Sequence, residues 1–516
     1  MTAIETEAPR VMFVARGKLE FISAFHSRGA LAVAGLDAPL VRDGRNNLIV
    51  PGTSLAGALR AWATREAHSV DSDVLPIDVD VLFGPRLQSG SSDTEASLLT
   101  CYDIVLTGSE THRDGVGINR FTGAAAENFK FDHTVLAPGA SGEVQIICRL
   151  LEEDSQDDSP IFGLLSQVLA ALRDGHILLG GLTTKGFGRC TVSDIKLKRV
   201  PSGRTGVIAR VTNGSSYVGD EVALPNAGNY AIAHEVTWSV ALKQVSPTFS
   251  RVAVLDGLVD SIPLVERHHD KAVLVVPGSS IKGALRSEAE RIMRTLVGYE
   301  ETSFSTKSLN EQVRVPLVNE LFGTGKISSA ASAPNLPDQR GALRCSELYA
   351  ELCDWTRWEQ VVSVIEETKK SEAKKQLATD LSSLKGALDE ATLAAWRVSI
   401  HVAIDRWTGG AAAGKLFSSL EPHNITWQPL HLSIDTRLLP EGALEAAQVL
   451  LLLSLQSLNR QQIGLGFGFD RGYGRVQVEN INSEAFSSFC QHAFDTHRST
   501  WKDYLHSVAT EKVTPS

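Results

Sequence analysis

The chain has 516 residues, long for one domain, with 43% hydrophobic and 21% charged residues, which excludes a disordered polymer. A formal net charge of −10 argues against a broad, nonspecific nucleic-acid coat but leaves room for a locally basic groove. Six scattered cysteines without CxxC spacing argue against a zinc site and suit a reducing cytoplasm.

In chain order, "MTAIETEAPR" is acidic and lacks an apolar core, so no signal peptide is expected. "VPGTSLAGALRAWATREAH" follows, predicting a helix behind a Pro-Gly step, with Ser or Thr near its start as candidate caps. Next come "LFG" at 82–84, "LLTCYDIV" around Cys101, "INRFTGAAAENF" at 118–129, the strand "GEVQIICRL" and the helix "GLLSQVLAALRDG". "GGLTTKGFGR" at 180–189 then leads into the closing strand "GRCTVSDIKL".

The same series then recurs. "VPGSSIKGALR" (276–286) repeats "VPGTSLAGALR" (50–60), identical at eight of eleven positions. It is followed by "LFG" at 321–323, "ALRCSELY" around Cys345, "IDRWTGGAAAGKLF" at 404–417 and "GLGFGFDRGYGR" at 464–475. Five matched landmarks in one order make a tandem repeat. From Pro-Gly to the INR or IDR isoleucine the copies span 67 and 127 residues, so the second carries about sixty extra, predicted helical over about 350–395. Strand–helix–strand order predicts an α+β, ferredoxin-like (RRM-like) core in each copy. The expected domains are 1–200 and 231–516, joined by a Gly/Ser/Asn-rich linker at 201–230. The apolar run at 449–458 is too short to span a bilayer and reads as a buried helix.

Several side chains stand where a polyanion could be met. A helix N-terminus after Pro277-Gly278 offers free N–H groups, and Lys282 and Arg286 share one helical face. In the first copy Ala56 replaces the lysine and leaves Arg60. The Gly-rich loops carry Lys185 and Arg189, or Arg471 and Arg475, and match neither an NTPase P-loop nor a dinucleotide fingerprint.

The segment "LDAPLVRDGRNNLIVPGTSLAGALR" (36–60), the INR/IDR hairpins and the C-terminal Gly-rich loop together resemble the RAMP superfamily of CRISPR effector subunits. Within it, the chain resembles the repeating backbone subunit of type III complexes, present as two fused copies in a type III-D-like manner. The resemblance implies two tandem RAMP domains with thumb hairpins, a guide RNA, a complementary target RNA and other type III effector subunits as partners. No membrane is implied, and a cytoplasmic location is expected. It implies an endoribonuclease that cuts target RNA at positions about six nucleotides apart, where each hairpin displaces a base. Arg120 and Phe121, or Arg406 and Trp407, would supply charge and a stacking face there. His26 stands where the family has a histidine near guide RNA. Asp37 matches the family's cleavage aspartate, and a divalent cation, Mg2+ first, would be held by Asp37 and Asp260. In the second copy, aligning the Pro-Leu-Val segments puts Ser261 opposite Asp37. One inserted residue brings Asp260 into register, which is preferred, and Asp256 is a further candidate. His268 and His269 read as solvated. A noncatalytic RNA-binding scaffold and a guide-precursor processing endoribonuclease are the alternatives.

Overall fold

Alternation in "RVMFVARGKLEF" builds the central strand of the first repeat: Phe13, Ala15, Leu19 and Phe21 are buried on one face, against two helices. The computed structural model describes residues 10–29, 38–67, 76–85, 96–200, 219–225, 234–297, 312–324, 339–367 and 374–479. The first repeat runs β1 (Arg10–Phe21), α1 (Gly52–Ala67), α2 (Pro76–Phe83), β2 (Leu99–Cys101), β3 (Glu110–Ile118), β4 (Ala125–Leu136), β5 (Ser141–Leu151), α3 (Pro160–Arg173) and β6 (Cys190–Val200). Its sheet order is β2-β5-β1-β6, all antiparallel. Two strand–helix–strand halves with the last strand beside the first make the ferredoxin-like arrangement. α1 and α3 cover one face through Leu55, Leu59, Trp62, Leu165, Leu169 and Leu172. Of the expected linker, Asp220–Val222 pairs with β6 as an edge strand, and residues 201–218 and 226–230 lie outside the described residues.

The second repeat runs β7 (Glu235–Val240), β8 (Leu242–Gln244), β9 (Val265–His268), β10 (Lys271–Val276), α4 (Gly278–Val297), α5 (Val318–Phe322), β11 (Leu343–Cys345) and β12 (Leu348–Asp354). It continues through α6 (Trp355–Glu367), α7 (Lys374–Glu390), β13 (Arg397–Ile404), β14 (Ala411–Glu421), β15 (Leu430–Asp435), α8 (Leu444–Asn459) and β16 (Val476–Val478). Strands β11-β15-β7 form one ladder and β8-β16 the next, so the order of the first repeat returns with its first strand broken at Ala241. The apolar run at 449–458 is a buried helix, α8, as expected, and no described helix is long and apolar enough to cross a membrane.

The chain divides into two compact units. The first comprises 1–113, 132–183 and 187–234; the second takes 235–516 together with 114–131 and 184–186. The distal part of the first hairpin and the tip of the first Gly-rich loop thus belong to the second unit, across the repeat boundary expected from sequence.

The extra residues of the second repeat are helical, as expected, but start only after strand β12 and have their own core. Trp358, Val361, Ile365, Leu384, Leu388 and Trp396 pack with Leu258, Val259 and Leu420. The Leu258 N–H donates to the carbonyl of Ile365 at 2.8 Å. A surface excursion would make no such contacts; here the insertion buttresses the loop that leads into Asp260.

Candidate nucleic-acid interface

The repeated Pro-Gly stretch answers to packing before chemistry. A Cβ on Gly52 would lie 2.2 Å from the carbonyl oxygen of Cys101, and one on Gly278 2.8 Å from that of Cys345. Each helix starts against the matched strand, and only glycine fits there. In the first repeat the Gly52 N–H donates to Asp103 Oδ1 at 2.7 Å, so Asp103 caps α1 in place of the expected Ser or Thr. In the first repeat, then, a carboxylate of the protein itself occupies the helix start.

Lys282 and Arg286 are likewise engaged inside. Lys282 is 7% exposed, donates to the Leu343 carbonyl at 2.7 Å and the Thr184 carbonyl at 3.4 Å, and burial pushes its ammonium down to about 7. Arg286 donates to Glu290 Oε1 (2.8 Å), the Gly323 carbonyl (2.7 Å) and the Val313 carbonyl (3.2 Å), tying α4 to the end of α5. Arg60 of α1 pairs with Asp80 of α2 at 2.7 Å. The spacing that placed Lys282 and Arg286 on one face was right, but that face turns into the protein, so they act as fasteners.

The Gly-rich loops form one device in two copies. The Gly188 N–H donates to the Ala24 carbonyl and that of Gly474 to the Pro247 carbonyl, each at 2.8 Å. The Arg189 N–H donates to Ser23 Oγ at 2.9 Å, and the Arg475 N–H to Ser246 Oγ at 3.0 Å. Gly180 (φ +82°) and Gly466 (φ +81°) occupy one left-handed position, which makes the span from the hairpin isoleucine 62 residues in both repeats. The side chains of Arg189 and Arg475 are exposed. Lys185 lies 5.9 Å over the Phe131 ring and Arg471 5.0 Å over Phe417, so each loop sets a cation on the aromatic face of its own hairpin. Sequence reasoning missed Phe131 and Phe417, although the matched "NFKF" and "GKLF" segments carry the signal. Burial lowers the Lys185 ammonium below the usual lysine range.

Each hairpin ends in the same turn. Asn119 Oδ1 accepts the N–H groups of Phe121 (2.9 Å) and Thr122 (3.1 Å); Asp405 Oδ1 accepts those of Trp407 (2.8 Å) and Thr408 (2.9 Å). The turn throws the next aromatic outward, leaving Phe121 59% and Trp407 96% exposed. Val116 and Ile118, and Ile400, Val402, Ile404 and Leu416, add exposed apolar surface along the strands. The two arginines differ. Arg406 is exposed, whereas Arg120 Nε donates to the fully buried Glu290 at 2.7 Å and its backbone N–H to Gln312 Oε1 at 2.8 Å.

At the base of the second hairpin, Asp260 Oδ2 accepts the Ser418 N–H (2.6 Å) and hydroxyl (3.1 Å). Asp256 sits in an exposed bend with φ +56°. Asp37 lies outside the described residues. The opposite hairpin face holds a cluster that sequence reasoning missed: the Tyr473 hydroxyl bonds Glu421 and His401 Nε2, and His401 stacks on Phe417 at 5.1 Å. Burial, then Glu421, push the Tyr473 phenol up to about 12. His26 is buried, with Nδ1 2.8 Å from the Thr134 carbonyl, and burial lowers its pKa; it packs where a nucleotide-binding role was expected. His268 packs edge-on to Tyr349 at 5.1 Å, so it is not simply solvated. Of the two carboxylates expected to hold a divalent cation, Asp260 is described and Asp37 lies outside the described residues. Among the described residues no three His, Cys, Asp or Glu side chains converge.

A family model described as the RAMP superfamily matches residues 18–191 and 262–477. The chain is also similar to the CRISPR system Cms endoribonuclease Csm3 of Methanocaldococcus jannaschii, 23% identical over 204 residues that cover 36% of this chain and 79% of that relative.

Proposed function

The chain belongs to the RAMP superfamily, and from that membership we propose that it is a two-repeat backbone subunit of a type III CRISPR effector. It binds guide RNA and cuts complementary target RNA beside each hairpin. The observation that carries this reading is the duplicated hairpin: one turn chemistry, an exposed aromatic at each tip, and a Gly-loop cation on each hairpin's ring. A duplex meeting such a hairpin loses stacking at one step, and Phe121 or Trp407 replaces it with its own π-face. Unstacking turns the ribose, so its 2′-oxygen lines up behind the adjacent phosphorus. Attack there expels the 5′-oxygen and leaves a 2′,3′-cyclic phosphate and a 5′-hydroxyl.

Asp260 is the carboxylate that faces this step in the second repeat. Two observations support its pairing with Asp37. In the first repeat the Ala38 carbonyl accepts the Thr134 N–H at 3.2 Å, and in the second Ser261 pairs with Ser419, at the matched level of the hairpin. Asp37 immediately precedes Ala38, and Asp260 immediately precedes Ser261. The scaffold reading draws on the bonds to Ser418, which give Asp260 a structural role. Asp260→Ala in the assembled effector separates the two. Loss of one cut with guide binding retained supports catalysis; an unchanged cutting pattern makes the second repeat a scaffold.

A further inference from the structure

The first hairpin shows what its tip arginine does when engaged. Arg120 is mostly buried, and its guanidinium reaches Glu290, a carboxylate with no exposed surface. Glu290 stands on α4 thirteen residues after Pro277 of the Pro-Gly motif and also holds Arg286 at 2.8 Å. Gln312 accepts the Arg120 N–H, so the socket reads both the charge and the turn backbone. A buried carboxylate between two guanidinium groups is a strong, directional fastening.

The second hairpin carries the same turn with Arg406 at the Arg120 position, and among the described residues no carboxylate pairs with it. We infer that this tip is a plug for a further, different RAMP-type subunit, whose first helix presents a buried carboxylate thirteen residues after the proline of its Pro-Gly motif. This rests on the effector-subunit reading above.

A second copy of this chain does not fit as the partner. Counting along α1 in register with α4, the position of Glu290 is held by Thr64, and that of Arg286 by Arg60. Arg60 is already paired with Asp80. Arg406 docked there would meet the like charge of Arg60 and no acid at the Glu290 position, and the neighbouring Asp80 is already engaged by Arg60, which disfavours head-to-tail chains of the protein itself. The aromatic beside the arginine stays available to RNA, since Phe121 remains 59% exposed although Arg120 is docked.

The test uses the effector purified through a tag on this chain. Arg406→Glu is expected to cut recovery of the adjoining RAMP-type subunit at least tenfold. Arg406→Lys should keep most of the recovery, and reversing the partner's helix carboxylate to Arg should restore it in the Arg406→Glu background. Full recovery with Arg406→Glu would overturn the inference. So would a loss that the partner's reversed charge does not restore, which would make the tip an RNA contact, or an adjoining subunit that proves to be a second copy of this chain. If even the unaltered chain recovers no RAMP-type subunit, the effector reading itself fails, and the inference with it.

Discussion

Lys282 and its neighbours decide what the Pro-Gly helices are for. The motif reads in sequence as an anion grip, because Lys282 and Arg286 stand four apart behind a helix start. Spacing gives the shared face but not its direction, and that direction is set by the Leu343 and Gly323 carbonyls, which come from distant parts of the chain. A buried lysine has a pH signature. Its folded value of about 7 lies below the ordinary lysine value, so the unfolded chain binds the extra proton between roughly pH 7 and 10. Stability from this group therefore rises with pH through that window. The thiols of Cys101, Cys148, Cys190 and Cys345, pushed up to about 12 by burial, oppose it at the alkaline end. Comparing the protein with Lys282→Met cancels the thiols. Urea unfolding should show the native chain gaining about 3 kcal/mol on the variant from pH 7 to 10. A flat difference would mean that Lys282 is solvated.

Among the elements, the hairpins and the helical insertion carry the most consequence. Phe121 and Trp407 were legible in sequence through the resemblance of the INR/IDR hairpins, whereas the Asx turns at Asn119 and Asp405 that throw them outward emerge from the structure. Each aromatic should contribute stacking worth about 1–3 kcal/mol to RNA binding. Phe121→Ala and Trp407→Ala should weaken RNA affinity by that much without shifting the melting temperature, read by filter binding and calorimetry. A lowered melting temperature would mark the aromatics as packing groups. The insertion was legible as helix but not as support, since its contacts join Ile365 to Leu258 over a hundred residues apart. Replacing 355–395 by a short flexible linker would expose Leu258, Val259 and Leu420, buried side chains of about 1.5–3 kcal/mol each. The expected outcome is a destabilised second repeat and loss of its cut; an unaltered melting curve would show that the buttress is dispensable.

At the scale of the whole molecule, duplication explains the sequence better than any single motif. Five ordered landmarks found both ferredoxin-like sheets, and several of them mark places where backbone meets backbone: Gly52 on Cys101, Gly180 on His26, Gly466 on Phe249. The units were less legible. Residues 114–131 and 184–186 belong by contact with the second repeat, through pairs such as Arg120 and Glu290 that no local pattern announces. Asymmetry between the copies was legible only in part: Lys282 for Ala56 is plain in sequence, whereas Thr64 for Glu290 gains meaning from the ion pair.

The central claim is that two equivalent hairpins each direct one cut in a target RNA held on a guide. Mapping the cleavage of end-labelled complementary RNA by the purified effector tests it most directly. The account predicts two cuts assigned to this chain, about six nucleotides apart, each leaving a cyclic phosphate. Asp260→Ala should remove one and Asp37→Ala its neighbour, with guide binding retained in both. A single cut, or two cuts that survive both substitutions, would contradict it.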